Sequence, residues 1–544
     1  MILEIDDETI SFKVLRLAVI SPTLHRQWHM KYTIKSPSFV IFSGGSACNH
    51  IIRAFHESPG QDVSYVLGVS DNGGSTSELL RVLGGPSIGD LRSRLLKMMD
   101  LVSDQPCVER TAIKELLSYR LPSNIPDHLV KDEWTSIVEG RHTLWDNIPI
   151  EKKETIRGFL TLFNFEILKR AHKQFNFCNG SIGNFFLTGA RLFLGSLEAA
   201  IFLLSAITGI QSDRASIVPV INTNHTVTIA ALLADGGTLV GQCEISHPPN
   251  NPAPDTPGGR RKKYRTNPID AFSCLSEEEE MYRMNVANTN LVFSKFADEK
   301  LESPIKRIFY MNDYGQEIYP IPNPKVISQL STKETLVYSI GSLYTSVLPC
   351  LVLRHVGNAI AQSSSLKHKI LLLNGSNDRE TSDYSALDFI SAITNGLNES
   401  KKIDCRRAFY QSCDEEPDLL LESPLVLPSS SYCSVSSSSS SSNSTTSSCG
   451  TISPGCSPRQ GSGSGSFEQA EYPPFPNHLF YPSPPSAFIT HLVYLDNSTI
   501  PVDKIAIQKL GIQPICIRGT LSGTGEPVYD ETAVSNIIRR IVHS

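Results

Sequence analysis

The sequence predicts an α/β fold: a Rossmann-like, mostly parallel sheet flanked by helices, with an inserted helical region and disordered loops. Three observations predict it. Two glycine-rich turns, in FVIFSGGSACNHII (39–52) and VLGVSDNGGSTSELLRVLGG (66–85), each follow an apolar strand and open a helical pattern. The same strand–turn–helix order returns at TLVYSIGSLYTSVLPCLV (335–352) and KHKILLLNGSND (367–378). A chain of 544 residues with 40% hydrophobic content also has the apolar mass for a sizeable core.

In chain order, residues 1–36 form a leader without a clear pattern. An α/β domain spans 37–410. Its first two βα units are followed by a third glycine turn and a helix after Pro86, with Leu91, Leu95 and Met98 on one face. Asp90 sits in the first turn of that helix. Arg92 and Arg94 point elsewhere; they read as solvated helix charges, with phosphate contact as the sharper alternative. Residues 111–178 are helical in pattern. Residues 179–210 are a long apolar segment whose Gly and Ser spacing suggests tightly packed helices. Residues 216–246 read as strand, loop and strand, with Asp235-Gly236-Gly237 as a hairpin signal.

An insertion follows at about 248–285, carrying the basic run Arg260-Arg261-Lys262-Lys263 and the acidic run Glu277 to Glu280. Such a basic run can be a nuclear signal, though a solvated loop is the ordinary reading. Residues 411–485 are rich in Ser, Pro and Gly and cannot bury enough apolar surface to order themselves. Residues 486–544 complete the α/β domain with strands FITHLVYL and PICIRG and the amphipathic helix ETAVSNIIRRIV.

Charge and composition exclude several classes. The net charge is −6, so no global basic field exists to hold nucleic acid. No apolar run approaches the roughly 20 residues of a membrane span. The start, MILEIDDE, is acidic and unlike a secretory signal. Twelve cysteines at irregular spacings, with no CxxC pair, read as reduced thiols of a cytoplasmic protein. A homo-oligomer stays open.

The glycine turns carry the chemistry. They present backbone N–H groups and a helix start to a phosphate at the carboxyl ends of parallel strands. Asp71 and Asn72 add a metal or hydroxyl partner at the same rim. A single Gly-Gly turn is usually only a tight connection, and a lone Asp is usually a cap or Asx turn. Two such turns within about 30 residues lie side by side at a sheet's switch point, which favours a nucleotide or phospho-ester site. Neither turn is GxGxxG, and no GxxxxGK[ST] occurs.

The blocks FSGGSACNHI, VSDNGGSTSELLR, GGPSIGDLRSRL, SIGNFFLTGA, VPVINTN with LLADGGTLVGQ, and IGSLYTSVLP, in this order, resemble the CofD family. These are the 2-phospho-L-lactate transferases and their YvcK-type relatives, gluconeogenesis-factor proteins that bind nucleotide sugars. The eukaryotic-type members are the most similar, through SIGNFFL, GSLYTS and NDRETS. The resemblance implies a nucleotide diphosphate ester, or a nucleotide sugar, in the cleft at the strand ends. It places Gly44, Gly45 and Ser46, with Asn72, Gly73, Gly74 and Ser75, by the nucleotide or its phosphates. It matches Asn184 to the Gly-Asn block, and Gly341, Ser342, Leu343, Tyr344 and Thr345 to the loop around the phosphates. Asp71 is the implied catalytic acid and metal ligand, with Mg²⁺ as the implied cofactor. The chain departs from the YvcK pattern at Asn72, where a second Asp is usual, and at Ser339-Ile340-Gly341-Ser342 in place of GPGS. Two functions remain: a transferase moving a phospho-ester group to an acceptor hydroxyl, or a non-catalytic nucleotide-sugar-binding regulator of carbon metabolism.

Overall fold

The structure, a computed structural model, describes residues 37–45, 47–56, 61–102, 107–170, 172–210, 215–247, 300–312, 314–415 and 475–543. The leader, Ser46, the insertion at 248–285 with its basic run, and the core of the Ser-rich segment lie outside the described residues. The chain divides into two units, Met1–Asp404 with Pro482–Ser544, and Cys405–Tyr481. The sheet and the site belong to the first.

Apolar runs become strands wherever both faces can be covered. β1 (Ser38–Phe42, SFVIF) and β2 (Asp62–Leu67, DVSYVL) are buried almost throughout. β3 (Ala215–Pro219) lies beside β2. β4 (Thr228–Leu233), β5 (Thr238–Val240), β6 (Ile305–Met311) and β7 (Glu317–Ile318) form a separate antiparallel sheet in the order β5-β4-β6-β7. β8 (Thr335–Tyr338), β9 (His368–Leu372), β10 (His491–Leu495) and β11 (Gln513–Ile517) return to the main sheet. That sheet has seven strands in the order β11-β10-β9-β8-β1-β2-β3, every pair parallel. Continuous apolar runs, without polar alternation, are what a parallel sheet covered on both faces requires.

The strand order reverses between β1 and β8: the chain builds outward to β3 on one side and to β11 on the other. Ligands of doubly wound sheets bind beyond the carboxyl ends of the strands at this switch point. Phe39 pairs with Val63 on one side and with Thr335 on the other. The loops after β1, β2 and β8 therefore share one rim.

Helices cover the sheet and set the rim. The first glycine turn leads into a 3₁₀ helix, Ala47–Phe55. α1 (Gly74–Leu83) and α2 (Gly89–Met98) follow β2. The helical region comprises α3 (Val108–Ser118), α4 (Asp127–Val138), α5 (Ile150–Leu168), α6 (Ile182–Leu194) and α7 (Leu197–Thr208). Ser181 caps α6 by accepting the Asn184 amide, and Gly195 ends it in the left-handed conformation at φ 65°. Its core is aromatic: Phe163 stacks on Phe185 with ring centroids 4.5 Å apart, and Trp134 meets Phe185 edge-on at 5.1 Å.

Leu91, Leu95 and Met98 are buried on one face of α2, as their spacing predicts. Arg92 and Arg94 differ from expectation. They are not solvated: Arg92 is 8% exposed and Arg94 0%. α2 is covered on more than one side, so its polar positions are forced inward too. The hairpin signal is met, because β4 and β5 pair across Asp235-Gly236-Gly237, with Asp235 Oδ1 accepting the Gly237 amide at 2.9 Å. β6 was not foreseen from the sequence, although IKRIFYM alternates in burial along its length. Among the described residues, no helix is long and apolar enough to cross a membrane.

Candidate functional site

The loop after β1 presses against the loop after β8. A Cβ on Gly44 would lie 3.1 Å from Ser346 Oγ and 3.5 Å from Gly341 Cα. Arg94 holds the loop from below, donating through Nη2 to Ser43 Oγ at 3.0 Å and to the Gly44 carbonyl at 3.1 Å. Its guanidinium also lies 4.7 Å from the centre of the Tyr65 ring. Gly45 has no room for a side chain, since a Cβ there would lie 1.8 Å from Asp90 Oδ1. The absence of that Cβ lets the Gly45 amide donate to the Asp90 carboxyl.

Asp71 and Asp90 therefore share the rim, one from the loop after β2 and one from the first turn of α2. Burial pushes both carboxyls up, and the charge of Asp71 raises Asp90 further. Arg94, the Gly45 amide and Arg92 oppose that rise at Asp90; the Gly73 amide and His247 oppose it at Asp71. Two nearby acids with raised proton affinity resist ionising together.

Asn72 does not join them. Its Oδ1 accepts the Cys243 amide at 3.1 Å, holding the start of the short helix α8 (Gln242–Ser246). Gly73 donates its amide to Asp71 Oδ1 at 2.8 Å, and Gly74, at φ 54°, opens α1. Ser75 Oγ accepts from Asn184 Nδ2 at 3.1 Å and from Arg120 Nη1 at 3.2 Å. Ser75 and Asn184, 109 positions apart in sequence, thus meet where α1 and α6 begin.

The β8 side is built differently. Gly341 donates its amide to Asn374 Oδ1 at 3.2 Å and accepts from Asn374 Nδ2 at 2.9 Å. The Ser342 carbonyl accepts the amides of Ser346 and Val347, and Leu343 is buried. Tyr344 and Thr345 turn their amides to Glu380 Oε2, at 2.8 and 3.1 Å. Glu380 Oε1 accepts from Thr345 Oγ1 at 2.5 Å and from Ser246 Oγ at 2.6 Å. Burial and the charge of Asp378 push Glu380 up to about 7, against those hydrogen bonds. The Tyr344 hydroxyl lies 2.8 Å from that of Tyr384.

The structure thus brings together Gly44, Gly45, Asp71, Asn72, Gly73, Gly74, Ser75, Asn184, Gly341 and Ser342 around one rim. Leu343, Tyr344 and Thr345 turn into the protein behind it. Sequence reasoning missed Asp90, Arg120, Asn374 and Glu380 as site residues. Asp90 and Glu380 lie in blocks already singled out, GGPSIGDLRSRL and NDRETS. A first-turn acid and a loop acid look ordinary without their distant partners. A cavity of about 20 Å³ at the amino ends of β1 and β2, lined by Pro37, Phe39 and Gln61, has room for about one water and none for a nucleotide.

In sequence and in fold the chain is similar to known proteins. The family model described as 2-phospho-L-lactate transferase CofD matches residues 39–414. An uncharacterized protein of Saccharomyces cerevisiae is 40% identical over 382 residues, 66% of this chain and 83% of its own length. A Clostridium acetobutylicum protein named "Putative gluconeogenesis factor" is 21% identical over 370 residues, 68% of this chain and 55% of its own length. The crystal structure of a UPF0052 family member from Bacillus halodurans shares the fold at a TM-score of 0.50 and 14% identity, over 92% of this chain and 99% of that one.

Proposed function

From the premise that this chain belongs to the CofD family, we propose that it binds a nucleoside diphosphate ester at the β1–β8 switch point and transfers a phospho-ester group to an acceptor hydroxyl. The observation that carries this reading is a rim with two buried acids: Asp90 against Gly45 of the glycine loop after β1, and Asp71 near enough for its charge to act on Asp90. The diphosphate lies over the loops after β1, β2 and β8, with the start of α1 as a source of donors. In transfer, the acceptor oxygen bonds to phosphorus and the P–O bond to the departing nucleotide breaks. The hydroxyl proton passes to a carboxylate at the rim.

A divalent cation fits the pair. Two carboxylates are a hard-oxygen donor set suited to Mg²⁺, which usually takes one or two carboxylates plus substrate phosphates. No cluster of three or more His, Cys, Asp or Glu ligands forms among the described residues, so the remaining ligands would be phosphate oxygens and water. When bound, the cation neutralises charge on the phosphates. Asp90, from the first turn of α2, supplies a second carboxylate at this rim.

The gluconeogenesis-factor name of the clostridial relative favours a second reading, a regulator of carbon metabolism, for which the family resemblance implies a nucleotide sugar as ligand. Calorimetry with UDP-, GDP- and ADP-linked esters, with and without Mg²⁺, together with a product assay, separates the two. The transferase reading expects Mg²⁺-strengthened binding and turnover, both lost in Asp71→Asn. Binding without turnover for any acceptor supports the regulator. A panel that neither binds nor shifts the melting temperature overturns the nucleotide assignment.

A further inference from the structure

We propose that Arg92, Arg120, Ser75 and Asn184 form an anion subsite beside the Asp71–Asp90 pair, which takes a phosphate or carboxylate on the non-nucleotide part of the ligand. Arg92 spans the start of α6 and donates through Nη1 to Ser181 Oγ at 2.6 Å. Gly183 makes the crossing possible, because a Cβ there would lie 2.8 Å from Arg92 Cδ and 2.4 Å from the Leu117 carbonyl oxygen. Arg120, exposed at the mouth, donates to Ser75 Oγ and to the Asn179 carbonyl. Every hydrogen-bond partner of the two guanidiniums among the described residues is neutral, and neither is ion-paired.

The electrostatics of this arrangement are one-sided. Two cations stand at the starts of α1 and α6, where the helix ends are themselves positive. Burial and the nearby charge of Arg120 lower Arg92 to about 10, so both remain cationic at neutral pH. The Asp90 charge acts on Arg92, yet it is shared with Arg94 and faces Asp71. Arg92 Nε and Asn184 Oδ1 are buried without a hydrogen-bond partner, in side chains 8% and 1% exposed. Buried cations are ordinarily paired. Here the missing partner is an anion that bonds to the arginines and Asn184 Nδ2, with Asn184 Oδ1 left for a donor on the same ligand. The placement of that anion on the ligand rests on the nucleotide-ester reading; the subsite itself does not.

The test uses the full chain with inorganic phosphate and, separately, acetate, at constant ionic strength set with sodium chloride. Phosphate, acetate or both raise the melting temperature of the wild type, and the more effective anion identifies the group. In Arg120→Met and in Ser75→Ala the half-saturating concentration of that anion rises about tenfold or more, the cost of a charge-assisted hydrogen bond. A shift that survives in both Arg120→Met and Ser75→Ala, or no shift with either anion, overturns the subsite. Stabilisation by a nucleoside diphosphate ester would persist in either case, so the two readings fail separately.

Discussion

The two sides of the rim solve opposite problems. On the β1–β2 side, the charge of Asp71 acts on the buried Asp90, and Arg92 and Arg120 carry charge with only neutral hydrogen-bond partners among the described residues. On the β8–β9 side, the polar groups satisfy one another: Glu380 takes four hydrogen bonds from Ser246, Tyr344 and Thr345, and Asn374 takes and gives one with Gly341. The first side holds electrostatic conflict. The second holds shape. A charged ligand needs both, because donors act on it at full strength only if they do not reorganise on binding.

The largest effect on stability is expected from breaking the shape-holding side. Glu380→Ala leaves the amides of Tyr344 and Thr345 without their acceptor, and leaves the Thr345 and Ser246 hydroxyls only each other. It should destabilise the protein by about 3 kcal/mol or more. Glu380→Gln keeps an acceptor oxygen and should cost less than half of that. Denaturant unfolding of the three proteins checks this, and equal stability of all three would remove Glu380 as the keystone of the loop.

On the charged side the effect should fall on binding and leave the fold intact. Asp90→Asn should weaken Mg²⁺-dependent ligand affinity at least tenfold while the melting temperature stays level or rises, because the like charge beside Asp71 is gone. Calorimetry and thermal melts on the same variant decide it. A variant that melts well below the wild type would make Asp90 a structural strut.

A smaller effect is expected from pH. Asp71, Asp90 and Glu380 all have proton affinities raised by burial. A group whose folded-state pKa lies above its unfolded value adds stability that is full below the unfolded pKa and lost as pH rises through the folded one. Without ligand, the melting temperature should therefore rise as pH falls from 8 towards 6. Mg²⁺ affinity should move the other way, rising with pH as the carboxyls ionise. Asp90→Asn combined with Glu380→Gln should flatten the melting profile, and an unchanged slope would show that other groups set it.

The smallest effect concerns the clamp between the sides. Asn72 contributes one hydrogen bond to the start of α8, so Asn72→Ala should cost about 1 kcal/mol. Its loss of ligand affinity should be smaller than that of Asp90→Asn. If the order reverses, Asn72 touches the ligand directly.

By itself the sequence determined what is local. Apolar runs ending in small residues marked β1, β2, β8 and β9, because a buried parallel strand needs no polar alternation and a tight exit needs glycine. Asp71 was legible for the same reason: it follows a strand end directly, so its place at the rim needs no distant partner. Tertiary structure alone decided what depends on pairing across the chain. Nothing local in Arg92 or Arg94 says that α2 is buried on more than one side, or in Glu380 that donors 36 and 134 positions away converge on it. Asp90 became part of the site only because β1 and β2 pair side by side in parallel, bringing the Gly45 loop against the first turn of α2. A carboxyl's role is set by the charges and donors folded around it, and those come from segments that share no sequence neighbourhood.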